Sequence, residues 1–267
     1  MCLQTLYTSA TGMIGMETKL NTVAHNISNM ETTAYKKQRC NFEDLFYDHL
    51  KYPGMDLNGG PFTATGISVG VGTRVSSIQS QFTQGAHQQT DRELDVSIAG
   101  EGFFRIQDDL SGEILYTRSG NFSRADDGRL VLGSGHIGRA LDPEIAIPED
   151  VTAIQISQSG EVFVKDVTTA ELQNIGRIQL TMFTNPEGLL RVGENLYQET
   201  NASGPALDGE PGENGYGILK QGSLEMSNVE PVNELIDMIT SQRAFELNSK
   251  VTQTGDQILQ TVVNLKR

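Results

Sequence analysis

Residues 3–37 read LQTLYTSATGMIGMETKLNTVAHNISNMETTAYKK. Leu3, Leu6, Ala10, Met13, Met16, Leu20, Val23, Ile27 and Met30 recur in steps of three or four, the spacing of one helix face. Gln4, Thr8, Glu17, Thr18 and Asn21 take the opposite positions, mostly without charge. A helix with so few charges needs something to pack against. Gly12 and Gly15 lie inside it, and each costs about 1 kcal/mol relative to Ala. They fit a place where another helix comes close.

The other end of the chain carries a second helical pattern, SNVEPVNELIDMITSQRAFELNSKVTQTGDQILQTVVNLKR, residues 227–267. Ser227 and Glu230 have the order of a capping box, and Pro231 falls in the first turn. Glu230, Glu234 and Asp237 lead, and Lys266 and Arg267 close, matching the helix dipole. Val232, Leu235, Ile236 and Ile239 form one apolar set. Ala244, Leu247, Val251, Ile258, Val262 and Leu265 form a second, out of phase with the first as if a stutter fell near Arg243. The eight prolines all lie from residue 53 to residue 231, so long helices are allowed at both ends and discouraged between them.

Between the ends the signals are β. LDVSIAG, FFRIQ and GEVFVKD alternate with period two. RADDGRLVL, SQSGEVFV and TNPEGLLRV each place a turn pair before an apolar run, and read as hairpin cues. Residues 48–90 are instead rich in Gly, Thr, Ser and Gln and read as an extended excursion, a length that in a compact domain goes with a task of its own. The expected fold class is α+β, with four parts. Residues 1–47 hold the N-terminal helix of a coiled-coil-like core domain, and residues 48–90 an extended β-rich segment. Residues 91–221 form a central antiparallel all-β domain, and residues 222–267 the C-terminal helix of the core.

The bulk numbers exclude several functions. At 267 residues the chain makes one large domain or two smaller ones. Its net charge of −14 argues against a nucleic-acid partner, which needs clustered Lys and Arg. No apolar run reaches the ~18 residues of a membrane span, and no cleaved signal peptide is expected. Cys2 and Cys40 stand apart from any CxxC or His cluster and read as lone thiols. His25, His49, His87 and His136 lack metal-ligand spacing, so neither metal nor cofactor is expected. Gly66-Ile67-Ser68-Val69-Gly70 matches a nucleophile elbow but lacks the helix that must follow. Gly133-Ser134-Gly135-His136-Ile137-Gly138 matches a dinucleotide fingerprint, but Pro143 and Pro148 follow where a helix should open. Asp126-Asp127-Gly128 reads as a turn. No catalytic constellation emerges. An enzyme or a binding module on a helical stalk remain the competing classes; the first needs a convergent polar pocket, the second terminal helices that do not self-associate.

Three separated stretches carry a family resemblance. HNISNMETTAYKK, with Asn26, Ile27, Asn29, Tyr35 and Lys36, resembles the N-terminal signature of the bacterial flagellar rod and hook proteins. LDVSIAGEGFFRI, with Gly102, Phe103 and Phe104, resembles their central signature. The stretch from Gly222, with Asn228, Gln242 and Arg243, resembles their C-terminal signature. The resemblance covers the whole chain and is closest to the distal rod members, with a proximal rod or hook-type protein as the alternative. His25, Glu31 and Ala34 depart from the pattern. Ala34 replaces a Gly and would limit a left-handed backbone there.

The resemblance implies a non-enzymatic structural subunit that self-assembles into a hollow helical tube, a drive shaft and part of an export channel. It implies a basal-body location across the periplasm, reached by flagellar type III export without a cleaved signal. Implied neighbours are further copies of the chain, proximal rod proteins, the hook protein and the basal-body ring proteins acting as a bushing. The expected helix-packing residues are Leu6, Met13, Leu20, Val23 and Ile27 on the first helix. On the last they are Leu235, Ile239, Leu247, Val251, Ile258, Val262 and Leu265. Gln4, Thr8 and Asn21 are candidate channel-wall residues. An isolated helix of this length is marginal in water, so the termini are expected to order on assembly.

Overall fold

The computed structural model describes residues 2–53, 65–108, 112–133, 138–166 and 172–265, and shows an α+β chain of two compact units. The helical unit takes the chain up to Ser28, Gln38–Ser80 and everything from Glu230 on; the β unit takes Asn29–Lys37 and Gln81–Val229.

In the helical unit, α1 (Cys2–Ser28) and α2 (Pro231–Leu265) run antiparallel. Their register is written in four contacts. Leu6 meets Gly255, Gly12 meets Asn248, Lys19 pairs with Asp237 at 3.5 Å, and Asn26 donates to Glu234 at 3.2 Å. A Cβ on Gly12 or Gly255 would lie 2.9 Å from its neighbour, so the glycines do admit close approach of the partner helix. Gly15 serves a different element: it faces the Phe42 ring. Both helices are formed within the single chain.

The same unit carries a two-stranded antiparallel ribbon. Strands β1 (Gln38–Asp44), β2 (Tyr47–Lys51), β3 (Ile67–Gly70) and β4 (Thr73–Ser80) pair as β1 with β4 and β2 with β3. Leu45 N–H to Gly72 O at 2.8 Å and Val71 N–H to Phe46 O at 3.1 Å join the two pairs into one continuous ribbon. It lies on α1 at Thr8, whose hydroxyl donates to Gln4 O at 2.9 Å and lies 3.4 Å from Val71 O, and at Thr11, which accepts from Thr73 N–H at 3.4 Å. Gly72, at φ +135°, lets the backbone pass Thr11; a Cβ there would sit 2.1 Å from the hydroxyl.

The β unit is built on a large antiparallel sheet centred on Phe103–Gln107, which pairs with Ile114–Thr117, Ala140–Leu141 and Leu180–Met182. Successive side chains of a strand point to opposite faces. Phe104 therefore enters an aliphatic core with Ile98, Ile106, Leu132 and Leu180, while Phe103 enters an aromatic cluster with Tyr116, Phe183, Tyr197 and half-buried Phe82. Ring centroids there lie 4.8–5.9 Å apart, edge to face. Val151–Ile156, Glu161–Asp166 and Leu172–Arg177 form a separate three-stranded sheet.

Several expectations need correction. The first helix ends at Ser28, and residues 29–47 leave it: Ala34 is left-handed at φ +57°, and Gln38–Asp44 is a strand. The segment 48–90 is not one excursion, because residues up to Ser80 belong to the ribbon and those beyond to the β unit; residues 54–64 lie outside the described ones. Residues 222–229 belong to the β unit, where Ser223–Glu225 is a strand, and the last helix starts only at Pro231. The capping box does not form, since the Ser227 hydroxyl accepts from Val229 N–H and the helix begins four residues later. α2 is one helix through Arg243, which a phase shift of its apolar repeat allows.

RADDG and SQSG do turn hairpins, at Gly128 (φ +80°) and Gly160 (φ +86°). TNPEG does not: Pro186–Gly188 is a 3-10 turn between strands that never pair, and Leu190–Gly193 instead folds back on Leu196–Gln198 through left-handed Glu194 and Asn195. Ser68 lies on β3, with a strand rather than a helix after it. Of the dinucleotide-like stretch, residues 134–137 lie outside the described ones, as do the Cys2 side chain, Lys266 and Arg267. Cys40 is a free thiol.

Candidate assembly surface

The face that α2 turns toward α1 is polar and small. Glu234, Ser241, Asn248 and Gly255 follow one another at seven-residue intervals; three are buried and Asn248 is half-buried. Asn26 anchors the start of this seam. Its amide accepts from Gln38 N–H and donates to Gln38 O, both at 2.9 Å, and so ties the first residue of β1 to the last turn of α1.

The apolar residues of α2 are left uncovered, most of them off this seam and Val262 on its seven-residue rhythm beyond Gly255. Leu235, Ile239, Leu247, Val251, Ile258, Val262 and Leu265 are all exposed, Leu247 by 62 %, and Val232, Ile236 and Val263 extend the same surface. On α1, Val23 is buried and Leu6, Met13, Leu20 and Ile27 are half-buried. Tyr7 and Ile14, seven residues apart, are exposed instead, and the sequence reading passed over them because they fall beside its chosen face. Ribbon residues Phe46, Tyr47, Leu50, Tyr52 and Ile67 are exposed as well. A helix buries its apolar stripe against something. Among the candidate channel-wall residues Thr8 and Asn21 are exposed and Gln4 half-buried.

The signature residues of the β unit have local work. Lys36 Nζ donates to Glu225 Oε1 at 2.6 Å and to Thr83 O at 2.8 Å. Arg118 Nε donates to Glu225 Oε2 at 3.1 Å, its Nη2 to Gly100 O at 2.6 Å, and Gly85 N–H to Glu225 Oε1 at 3.0 Å. The side chains of Lys36 and Glu225 are wholly buried, and that of Arg118 nearly so. Two cations thus share one carboxylate away from water. Burial and the Arg118 charge outweigh Glu225 and lower the Lys36 pKa to about 8.

Asn228 accepts from Lys37 N–H at 2.7 Å and donates to Gln81 O at 2.9 Å and Thr83 Oγ1 at 2.8 Å. The cluster and Asn228 together clamp residues 34–37, 81–85 and 225–228. Tyr35 is buried, Asn29 accepts from Thr32 in the turn after α1, and Gly102 adopts φ +133° against Leu180. Gln242 and Arg243 are exposed on α2.

Ala34 is buried and left-handed, with its N–H donating to Glu225 O at 2.8 Å. The Ala in place of Gly therefore does not prevent this backbone. The left-handed strain on a non-Gly residue, about 1–2 kcal/mol, is partly offset by the buried methyl, about 0.8 kcal/mol. Ala34→Gly should lie within about 1 kcal/mol of the parent, because it relieves strain but loses the methyl and gains chain entropy. Ala34→Val should lose at least about 2 kcal/mol, since a β-branched residue at positive φ adds overpacking to strain. Denaturant midpoints of the two variants check this; equal midpoints would contradict it.

Among the described residues no group of three or more His, Cys, Asp or Glu could hold a metal ion, and no helix is long and apolar enough to cross a membrane.

Comparison with known proteins gives three matching family models. "Flagella basal body rod protein" matches residues 6–36, "Flagellar hook protein FlgE/F/G D1 domain" residues 97–164, and "Flagellar basal body rod FlgEFG protein C-terminal" residues 220–265. The chain is 42 % identical over 265 residues to the flagellar basal-body rod protein FlgG of Caulobacter vibrioides, covering 99 % of this chain and 100 % of that one. It is 40 % identical over 267 residues to FlgG of Borreliella burgdorferi, covering 99 % of each. To the flagellar hook-basal body complex protein FlhP of Bacillus subtilis it is 32 % identical, covering 96 % of this chain and 97 % of that one.

Proposed function

The chain belongs to the flagellar basal-body rod protein family, as a structural rod subunit most like its FlgG, distal rod members, and from this premise we propose that copies join through the outward stripes of α1 and α2 into the wall of a hollow tube. The observation that carries the mechanism is the inversion of α2: polar and small residues face its own partner helix, and the large apolar residues face out. The intramolecular hairpin leaves the stripe uncovered, so another copy is its natural cover. Head-to-tail contacts that do not close generate a helical filament. Packing the stripes of several copies side by side would make the coiled-coil-like core of such a tube.

In this reading the β unit decorates the tube and the ribbon links neighbouring copies, stiffening a shaft that carries torque. The rod crosses the periplasm, and the chain reaches it through the flagellar type III export apparatus. Proximal rod proteins lie below it, the hook above it, and the basal-body rings surround it as a bushing. The FlgG relatives support the distal position: full-length identity is 38–42 % for those of Caulobacter, Borreliella and Bacillus.

The test is sedimentation and electron microscopy of the full chain on concentration, with amide hydrogen exchange before and after. Filaments whose α2 amides gain protection are expected. A chain that stays monomeric at every concentration overturns the reading.

A further inference from the structure

In the β unit, strand His87–Gln89 pairs with strand Ser223–Glu225, and the His87 ring is one link in a run of polar side chains with a fixed direction. The run starts at Gln84. Its Oε1 accepts from Gly100 N–H at 3.2 Å, and its Nε2 donates to Ile98 O at 2.8 Å. Turning the amide over would set oxygen against oxygen and N–H against N–H, so these two backbone groups fix which end meets the ring. The end that meets it is Nε2, 2.8 Å from His87 Nε2. An amide nitrogen only donates, so His87 Nε2 accepts and carries no proton. The ring proton is then on Nδ1, 3.1 Å from Ser97 Oγ. Ser97 Oγ lies 2.7 Å from Ser223 Oγ, and the Ser223 hydroxyl donates to Lys220 O at 3.2 Å. Each donor thus has its acceptor, from Gln84 through His87, Ser97 and Ser223 to the Lys220 carbonyl.

This order holds only for a neutral ring. An imidazolium donates from both nitrogens, and its Nε2–H would point at the Gln84 N–H. The surroundings act in the same sense. Burial, and after it the Lys220 charge, hold the His87 pKa below its ordinary value; Arg118 and Lys36 add to this, and Glu225 alone opposes it. Ser97 is wholly buried and has no room to yield, whereas Gln84 is exposed and has water to turn into. A cleft lined by His87, Gln89, Gln158, Lys220 and Ser223 opens beside the ring and gives solvent protons a route to it.

We propose that His87 is an acid latch of the β unit. With the ring neutral, Gln84 and His87 pin residues 84–87 to residues 97–100. When Nε2 takes a proton from solvent, the ring expels the Gln84 side chain and the pinned stretch comes loose. The latched ring resists a proton that a released ring takes at about 6.5, so the open form binds more protons below that pH. The latch is therefore closed above about pH 6.5 and weakens as the pH falls below it. It is a property of the single chain and stands whether or not copies assemble.

The test is ¹⁵N NMR of the histidine rings in the dilute full chain, with amide hydrogen exchange at pH 7 and pH 5. The expected results are a His87 proton on Nδ1 at pH 8 and a titration midpoint below 6.5. Exchange at residues 84–87, corrected for its intrinsic pH dependence and taken relative to Phe103–Gln107, should be about fivefold faster at pH 5. Gln84→Met keeps the length of the side chain and removes the donor without adding charge, so it should raise the His87 midpoint. His87→Asn should abolish the acid loosening. A proton on Nε2 at pH 8, or a midpoint at or above 6.5, overturns the latch in the parent chain alone. An unchanged midpoint in Gln84→Met, or the same loosening in His87→Asn, overturns it as well.

Discussion

Glu225→Ala should cost the β unit about 3–5 kcal/mol, because it leaves Lys36 and Arg118 buried together with no counter-charge. With native domains stable by about 5–15 kcal/mol, that loss is a large share of the total. The reverse deletion should be mild. Lys36→Met removes the surplus cation and leaves Arg118 and Glu225 as a balanced pair. Thr83 O loses one donor but keeps Asn228 Nδ2 at 3.2 Å. The expected cost of Lys36→Met is therefore about 1 kcal/mol or less. Chemical denaturation of both variants decides it; equal losses would contradict the two-to-one charge count.

The same cluster sets a pH dependence. The folded Lys36 gives up its proton at about 8, the unfolded one near 10.4. Between these values the unfolded chain holds more protons, so stability rises with pH. Toward pH 10 other groups oppose the rise, since burial also raises the Cys40, Tyr116 and Tyr216 pKa. Burial lifts the Tyr197 pKa to about 12, so the unfolded chain loses that proton first and stability falls. A rise from about pH 8 toward pH 10 is expected in the parent and should vanish in Lys36→Met.

The second large effect concerns assembly rather than folding. Leu247→Asp with Val251→Asp should leave the single chain about as stable as the parent, since both side chains are exposed and such substitutions stay within about 0.5 kcal/mol each. The same pair should abolish filaments, because docking the stripe would then bury two unpaired charges. Ser241→Leu on the inward seam should do the opposite. Ser241 is buried and donates to Asp237 O at 2.6 Å, so a larger side chain there forces the hairpin apart. Melting curves and sedimentation of the two variants separate these outcomes. Filaments from the double Asp variant would remove the stripe from the interface.

Much of this was legible in the residues. Helical spacing located α1 and α2, and alternation located the strands at Val96–Ala99, Phe103–Gln107 and Glu161–Asp166. The direction of the α2 stripe was not legible, because periodicity says that a face is apolar and not whether the same chain covers it. The inward seam was hidden for a related reason. Glu234, Ser241, Asn248 and Gly255 keep a seven-residue rhythm, but a rhythm of polar and small residues leaves no hydropathy signal. Periodicity also ran past the true end of α1, since Ile27 and Met30 keep the spacing while the chain turns at Ala34. Lys36 and Asn228 stood out only through family resemblance. Their reason is chemical and distant in sequence: Lys36 meets Glu225 across 189 positions, and Asn228 meets Lys37 across 191.

The inversion of α2 also has a thermal consequence. Removing apolar surface from water lowers the heat capacity and weakens on cooling, and the α2 side of the seam, polar and small, exposes less such surface when it parts than the outward stripe does. The contacts among copies and the contacts within a copy therefore answer to temperature differently. Cold should loosen the joints of the tube before it loosens the hairpins that build it, so a chilled shaft would come apart into intact subunits rather than into unfolded chains.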